Sequence, residues 1–285
     1  MNLKYHRYGK AKVRVLKKLK RDGAHTIKEL DVQVLLAGDF ESSYSSGDNR
    51  LVVATDTMKN TVNALAFEKL EEQTEVFALA LSQHFLEKYA HVSDVSIETS
   101  ERVWQRLKVD GKPSPTNFLA SQKFTPVSEV HATRTETSLA SGIRDLIIMK
   151  TAGSAFADFH RDEFTTLPET QDRILATSMS GKWSFAATPA DYNKTNADIL
   201  DAMLECFITH DSASVQKTMY DMGAAALSRS PEIKEVNLVM PNLHCLLVDL
   251  KPFGRLNSDT LFVPTDAPHG LIEATIERGI RECER

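Results

Sequence analysis

The chain has 285 residues, of which 42% are hydrophobic and 26% charged, the composition of a globular protein with material for a sizeable core. A net charge of -5, with no block of like charges, leaves nucleic-acid or membrane-surface binding without an electrostatic footprint. Three widely spaced cysteines, Cys206, Cys245 and Cys283, form no disulfide framework or paired-cysteine zinc signature, so reduced thiols are expected. No stretch approaches the roughly 20 apolar residues of a membrane helix, and the opening "MNLKYHRYGK" has no apolar leader core.

In chain order, "KVRVLKKLK" and "ELDVQVLLAG" alternate as strands do. "LVVATDTMKNTV", residues 51–62, reads as a strand of Leu51, Val52 and Val53 running into a dense polar set. A helix follows with Val62, Leu65, Ala66 and Leu70 on one face. "TEVFALALSQHFLEKYA" is a second helix, with Phe77, Leu81, His84, Phe85 and Tyr89 at helical spacing. "DVSIETSERVWQRL" and "SEVHATRTETS" read as strands, and the intervening "DGKPSPTNF" as turn chemistry.

The second half repeats the order. "IRDLIIMKTA" and "RILATSMSGKWSFAA" are strand candidates. "NADILDAMLECFITH" and "SVQKTMYDMGAAALSRS" are helix candidates, with Ile199, Met203 and Phe207 on one face. "EVNLVM", "HCLLVDL" and "LIEATIER" close as strands. Strand, strand, helix, helix, strand, strand, twice over, predicts an α+β fold: two domains, 1–138 and 139–285, each an antiparallel sheet with helices on one face. Open sheet edges predict an oligomer.

Nine histidines contain no H-E-x-x-H or H-x-H signature, and no glycine-rich nucleotide loop occurs. His84 and His91 are read as sharing a helical face, where packing is the favoured role. Four polar clusters sit at expected strand ends or helix starts: residues 55–61, "DFHRDEFTTLPETQDRI", "DSASVQKTMY" and "MPNLHCLLVDL". Taken singly, Thr, Asp and Ser before a helix are caps more often than ligand groups, and Asn242 after Pro241 suits a bulge. Asn242 and His244, two apart, would share one face of a strand.

Together the clusters resemble a family. "RYGKAKVRV", "VVATDTMKNT", "DFHRDEFTTLPETQDRIL", "SVQKTMY", "MPNLHCLLVDL" and "GLIEATI" are similar to urate oxidase (uricase) sequences, in order and over essentially the whole chain. The resemblance implies tandem T-fold domains. It implies a homotetramer around a barrel-like tunnel, with active sites at subunit interfaces. The implied reaction is cofactor-independent oxidation of urate by molecular oxygen to 5-hydroxyisourate and hydrogen peroxide.

By the same resemblance, Arg173 and Gln216 hold one edge of the purine, Phe159 stacks on it, and the Val215 backbone adds a contact. Thr55 and Asp56 come from the neighbouring subunit. Lys10 bonds Thr55 and heads a proton relay that His244 extends. Asn242, with Thr55, holds oxygen and later peroxide or water over the ring. The pairing is chemically sensible, because a guanidinium and a carboxamide match adjacent carbonyl and N–H groups of an anionic heterocycle. The final "RECER" carries no peroxisomal tripeptide, so a cytoplasmic enzyme is expected. Residues 110–140 match the family less closely. Two other readings remain: a pterin-handling T-fold enzyme, or a non-catalytic oligomer of the same fold.

Overall fold

The computed structural model describes residues 3–121 and 123–279; Cys283 and the "RECER" ending lie outside them. The chain forms two compact units. One comprises Met1–Ile143 with Thr188–Lys194, the other Arg144–Ala187 with Thr195–Arg285.

In the first unit β1 (Tyr8–Arg21) and β2 (Ala24–Gly38) form a hairpin. Its turn residues Asp22 and Gly23 both have positive φ, 48° and 77°, which suits the right-handed twist of paired strands. Short α1 (Glu41–Ser45), α2 (Thr55–Lys69) and α3 (Thr74–Lys88) follow, then β3 (Val92–Arg102), β4 (Trp104–Val109), β5 (Lys112–Ala120) and β6 (Thr125–Thr133). Strands β1, β2, β3 and β6 lie side by side, all antiparallel. Alternation on β2 buries Leu30, Val32, Val34 and Leu36, while α2 and α3 contribute Met58, Val62, Phe77, Leu81 and Phe85 to the core. Lys28 continues the buried stripe, and its ammonium is satisfied by Glu101 Oε2 at 2.6 Å and Thr74 Oγ1 at 3.1 Å.

β7 (Thr137–Lys150) leaves the first unit at Ile143. The second unit adds β8 (Leu175–Phe185), α4 (Tyr192–Thr209), α5 (Val215–Arg229), β9 (Ile233–Pro241), β10 (His244–Leu247), β11 (Phe262–Thr265) and β12 (Leu271–Glu277). Strands β8, β9 and β12 are consecutive antiparallel neighbours. On α5, Val215, Met219, Met222 and Ala226 recur at helical spacing and are buried. Gly223 lets β12 approach, since a Cβ there would lie 2.7 Å from Ile276 Cδ1.

The repeat of order is also a repeat of capping. Arg134 Nη2 donates to the carbonyls of Tyr89, Ala90 and Val92 just past α3. Arg278 Nη2 does the same to Leu227, Ser230 and Ile233 at the end of α5. Each guanidinium thus takes up carbonyls that a helix terminus leaves open.

Several expectations need correcting. Leu51–Val53 is not a strand, because the Tyr8 hydroxyl takes both backbone groups of Val53, accepting its N–H at 2.8 Å and donating to its carbonyl at 3.1 Å. Only Asp110 and Gly111 of "DGKPSPTNF" turn; Lys112 onward is β5, paired with β4 in a two-stranded ribbon that tolerates Pro113 and Pro115. "DVSIETSERVWQRL" is accordingly two strands, broken at Val103. α3 ends at Lys88, so His84 and His91 do not share its face; His91 instead packs edge-on against Phe40. β10 pairs with β11 in a separate ribbon, and β12 alone closes the main sheet.

Candidate active site

The expected residues fall into two groups, one in each unit. In the first, Gly9 and Lys12 frame Lys10. A Cβ on Gly9 would meet the Val34 carbonyl oxygen at 1.8 Å, so only glycine allows β1 to approach β2 there. One extra residue is then taken up between Lys10 and Val13, with Lys12 at φ 56°. Such a bulge re-aims the side chains beside it. Tyr8 packs edge-on against Phe40, 4.9 Å between ring centroids, and its grip on Val53 fixes the entry to α2. Burial raises the Tyr8 phenol's pKa above its ordinary value, which keeps that donor protonated.

Thr55 is the first residue of α2 and is exposed. Neither it nor Asp56 caps the helix: the cap position is Ala54, with no side-chain bond. The Asp56 carboxylate is held by Lys59 and by Asn60 Nδ2 at 3.0 Å. Lys59, through hydrogen bond and charge, holds that carboxyl below the usual range, and Lys10 adds a smaller contribution of the same sign. Lys10 therefore lies within electrostatic reach of Asp56. No hydrogen bond joins Lys10 to Thr55 among the described residues.

The second group is built by the 151–174 loop and the start of α5. Phe156 and Thr170 exchange backbone bonds of 2.8 and 3.0 Å, closing the loop. Asp172 Oδ1 accepts the Gly153 N–H at 2.8 Å. Ala155 N donates to Ser212 O at 2.7 Å and Ser212 N to Gly153 O at 2.9 Å, tying this loop to the segment before α5. Phe156 and Phe159 stack, 4.9 Å apart and 13° from parallel. The Arg173 guanidinium lies over Phe156 and that of Arg161 over Phe159, each at 5.1 Å.

Among the described residues Arg173 Nε is buried with no partner, and burial lowers the guanidinium's pKa from its ordinary value. Asn242 Oδ1 is likewise buried and unpaired, although its backbone is fixed by a bond from its N–H to Gly270 O at 2.8 Å. The bulge expected at Asn242 is instead an isolated bridge to Thr177. His244 begins β10 opposite Thr265. Val215 is buried at the first position of α5 and Gln216 is exposed beside it. The capping reading holds here for one residue, since Ser214 Oγ accepts the Lys217 N–H at 3.2 Å. The first N–H groups of such a helix have no intrahelical acceptor and face outward, ready for a polar ligand.

A buried donor left open over stacked aromatic rings, and a buried acceptor left open at Asn242, are unusual, because buried polar groups are nearly always paired. They suit a flat molecule carrying both acceptors and donors. Sequence reasoning missed Phe156, Tyr8, and the buried unpaired hydroxyls of Ser154 and Thr177. Phe156 had no signal beyond being aromatic, and Tyr8 acts on a residue 45 positions away.

The family model described as Uricase matches residues 6–131 and 139–273. The chain belongs to the uricase family. Uricase from Arthrobacter globiformis is 40% identical over 273 residues, covering 96% of this chain and 89% of that protein. Uricase from Dictyostelium discoideum is 37% identical, covering 96% of each. The crystal structure of uricase from Arthrobacter globiformis superposes with a TM-score of 0.93 at 38% identity, covering 100% of this chain and 96% of that one. A uricase from Bacillus fastidious gives 0.83 at 28%, covering 96% and 94%. The uricase T-fold, repeated in tandem, is thus the fold of this chain.

Proposed function

We propose that this chain oxidises urate with molecular oxygen and water to 5-hydroxyisourate and hydrogen peroxide, without metal or organic cofactor. The observation that carries this reading is the buried, open Arg173 guanidinium over Phe156, which itself stacks on Phe159, in a chain of the uricase family. Urate is a planar anion with carbonyl and N–H groups alternating on its rim. The Arg173 guanidinium supplies charge and donors, Gln216 a donor and an acceptor, and the Val215 backbone a further donor. Phe159, which stacks on Phe156 and lies under Arg161, is by the family resemblance the ring that meets the purine.

Lys10, Thr55 and Asp56 come from a second copy of the chain, so each site is shared across an interface of a homotetramer. The polar set at the start of α2 is thereby explained: it is one wall of a composite pocket. Hard redox chemistry usually needs a cofactor, so here the substrate itself must become a strong enough reductant. Lys10 and Thr55 accept a second proton from urate through a bound water. The dianion passes two electrons to oxygen and a hydroperoxide forms on the ring. Hydrogen peroxide then leaves, and water adds in its place, with His244 carrying protons. Arg173 offsets the added charge, and Asn242 with Thr55 holds oxygen, then peroxide or water, above the ring.

Loss of the near-ultraviolet absorbance of urate on adding purified protein, with equimolar oxygen uptake, tests the reading. Unchanged absorbance with folded protein contradicts it.

A further inference from the structure

Behind the first turn of α5 lies a chain of buried and half-buried polar side chains that the reaction does not use. His210, at the end of α4, has its Nδ1 3.1 Å from Asp221 Oδ2 and its Nε2 3.0 Å from Thr218 Oγ1. Thr218 is fully buried, and its hydroxyl lies 2.7 Å from Ser212 Oγ and 3.1 Å from the Ser214 carbonyl. Ser212 Oγ donates to that same carbonyl at 3.1 Å. Lys150 holds the His210 carbonyl from β7, and Lys217 closes on the far side of Asp221 at 2.5 Å.

The hydrogen count fixes the direction at the acidic end of this chain. A carboxylate only accepts, so the proton on Nδ1 faces Asp221. Burial, the largest influence, keeps His210 below the ordinary histidine pKa, and the charges of Lys150 and Lys217 add to that against Asp221 and Asp211. Near neutral pH the ring is therefore neutral and Nε2 is a bare acceptor. Thr218 has one hydrogen to share among the imidazole Nε2, Ser212 Oγ and the Ser214 carbonyl, and the Ser212 hydroxyl donates to that same carbonyl, so ring, hydroxyls and carbonyl form one coupled set. That carbonyl immediately precedes Val215 and Gln216.

We infer that His210, acting through Thr218 and Ser212, is a positioning residue that aims the Val215 and Gln216 end of the substrate site. The buried Thr218 hydroxyl cannot reach a substrate, so the triad-like order Asp221–His210–Thr218 orients the helix start and performs no chemistry of its own. The inference rests on the proposed function, since it assigns Val215 and Gln216 to urate.

Two nearly isosteric replacements test it. Thr218→Val keeps the shape and removes the hydroxyl, whereas Thr218→Ser keeps the hydroxyl. Thr218→Val and His210→Phe should each raise KM for urate about tenfold, the scale of one lost buried hydrogen bond, with kcat changed less than threefold. Thr218→Ser should restore a KM within about twofold of the parent. Because both changes break one chain, the double variant His210→Phe/Thr218→Val should cost no more than either alone. Equal KM values for Thr218→Val and Thr218→Ser, or a fall in kcat with unchanged KM, overturn the positioning role. If the parent protein itself leaves urate untouched, the proposed function fails instead.

Discussion

Replacing Arg173 by methionine separates binding from folding. In the free chain this guanidinium sits over Phe156 with Nε buried and unpaired. An unpaired buried donor costs about 1–3 kcal/mol, and the cation–π contact returns about 0.5–2 kcal/mol. Methionine retains the apolar stem and removes both, a net change between about 1 kcal/mol of loss and about 2.5 kcal/mol of gain, so the ligand-free melting temperature should fall by no more than about 2–4 °C and rise by no more than about 5–10 °C. Binding should respond very differently. Leaving an enclosed anion without its charged partner costs about 3–5 kcal/mol, at least a hundredfold in affinity. Thermal shift with urate under anaerobic conditions reads both quantities together. At a urate concentration of about 100 Kd the parent protein gains about 2.7 kcal/mol, whereas a variant bound a hundredfold more weakly gains about 0.4 kcal/mol. The parent should therefore shift by several degrees and Arg173→Met by about one degree. A variant that melts far lower without urate, yet keeps the full urate shift, would refute the reasoning and make Arg173 a structural residue.

Lys10→Met should lower turnover by about 10²-fold, the scale of a lost general base; a rate near that of the parent removes Lys10 from the proton path. Exhaustive dialysis against a chelator should leave oxygen uptake unchanged, and loss of activity restored by one added metal would contradict cofactor-free oxidation. Acid stability should report on His210, whose pKa in the folded chain lies below the ordinary histidine value of about 6.5 because of burial. Below pH 6.5 the unfolded chain binds the proton that the folded chain refuses. The contribution to stability is thus full above that pH and is lost as pH falls toward the folded value. The melting-temperature difference between the parent and His210→Phe should shift in the variant's favour through that window, and parallel curves would count against it.

Legibility in the sequence followed locality. β2 could be read because Leu30, Val32, Val34 and Leu36 alternate toward one core. α5 could be read because Val215, Met219, Met222 and Ala226 keep a helical period. The tandem order of elements followed from such local patterns. What could not be read depends on distant partners. Leu51–Val53 has strand composition, but a tyrosine hydroxyl from β1 takes the backbone groups of Val53. Lys112–Phe118 looks like turn chemistry, but a two-stranded ribbon asks little of its proline nitrogens. The second strand of the β10–β11 ribbon had no alternation long enough to notice.

The candidate site divides in the same way. Its polar clusters were visible as excess hydrogen-bonding capacity at element ends, but only the family resemblance attached roles to Lys10, Thr55 and Arg173. The Ser154 and Thr177 hydroxyls gave no signal, because their lack of partners is a property of packing. Gly9 shows the opposite case. A glycine beside a lysine in a strand is unremarkable in sequence, yet the carbonyl of Val34 makes it obligatory.

The central claim is that two chains share each site, and subunit complementation tests it most directly. Lys10→Met damages one wall and Arg173→Met the other, and each variant alone should be nearly inactive. If the walls come from different chains, refolding the two variants together yields mixed pairs holding one site with both walls intact. About a quarter of the parent activity should then return, for random pairing across a two-fold interface. If both walls belong to one chain, every site in every mixture carries a lesion and no activity returns.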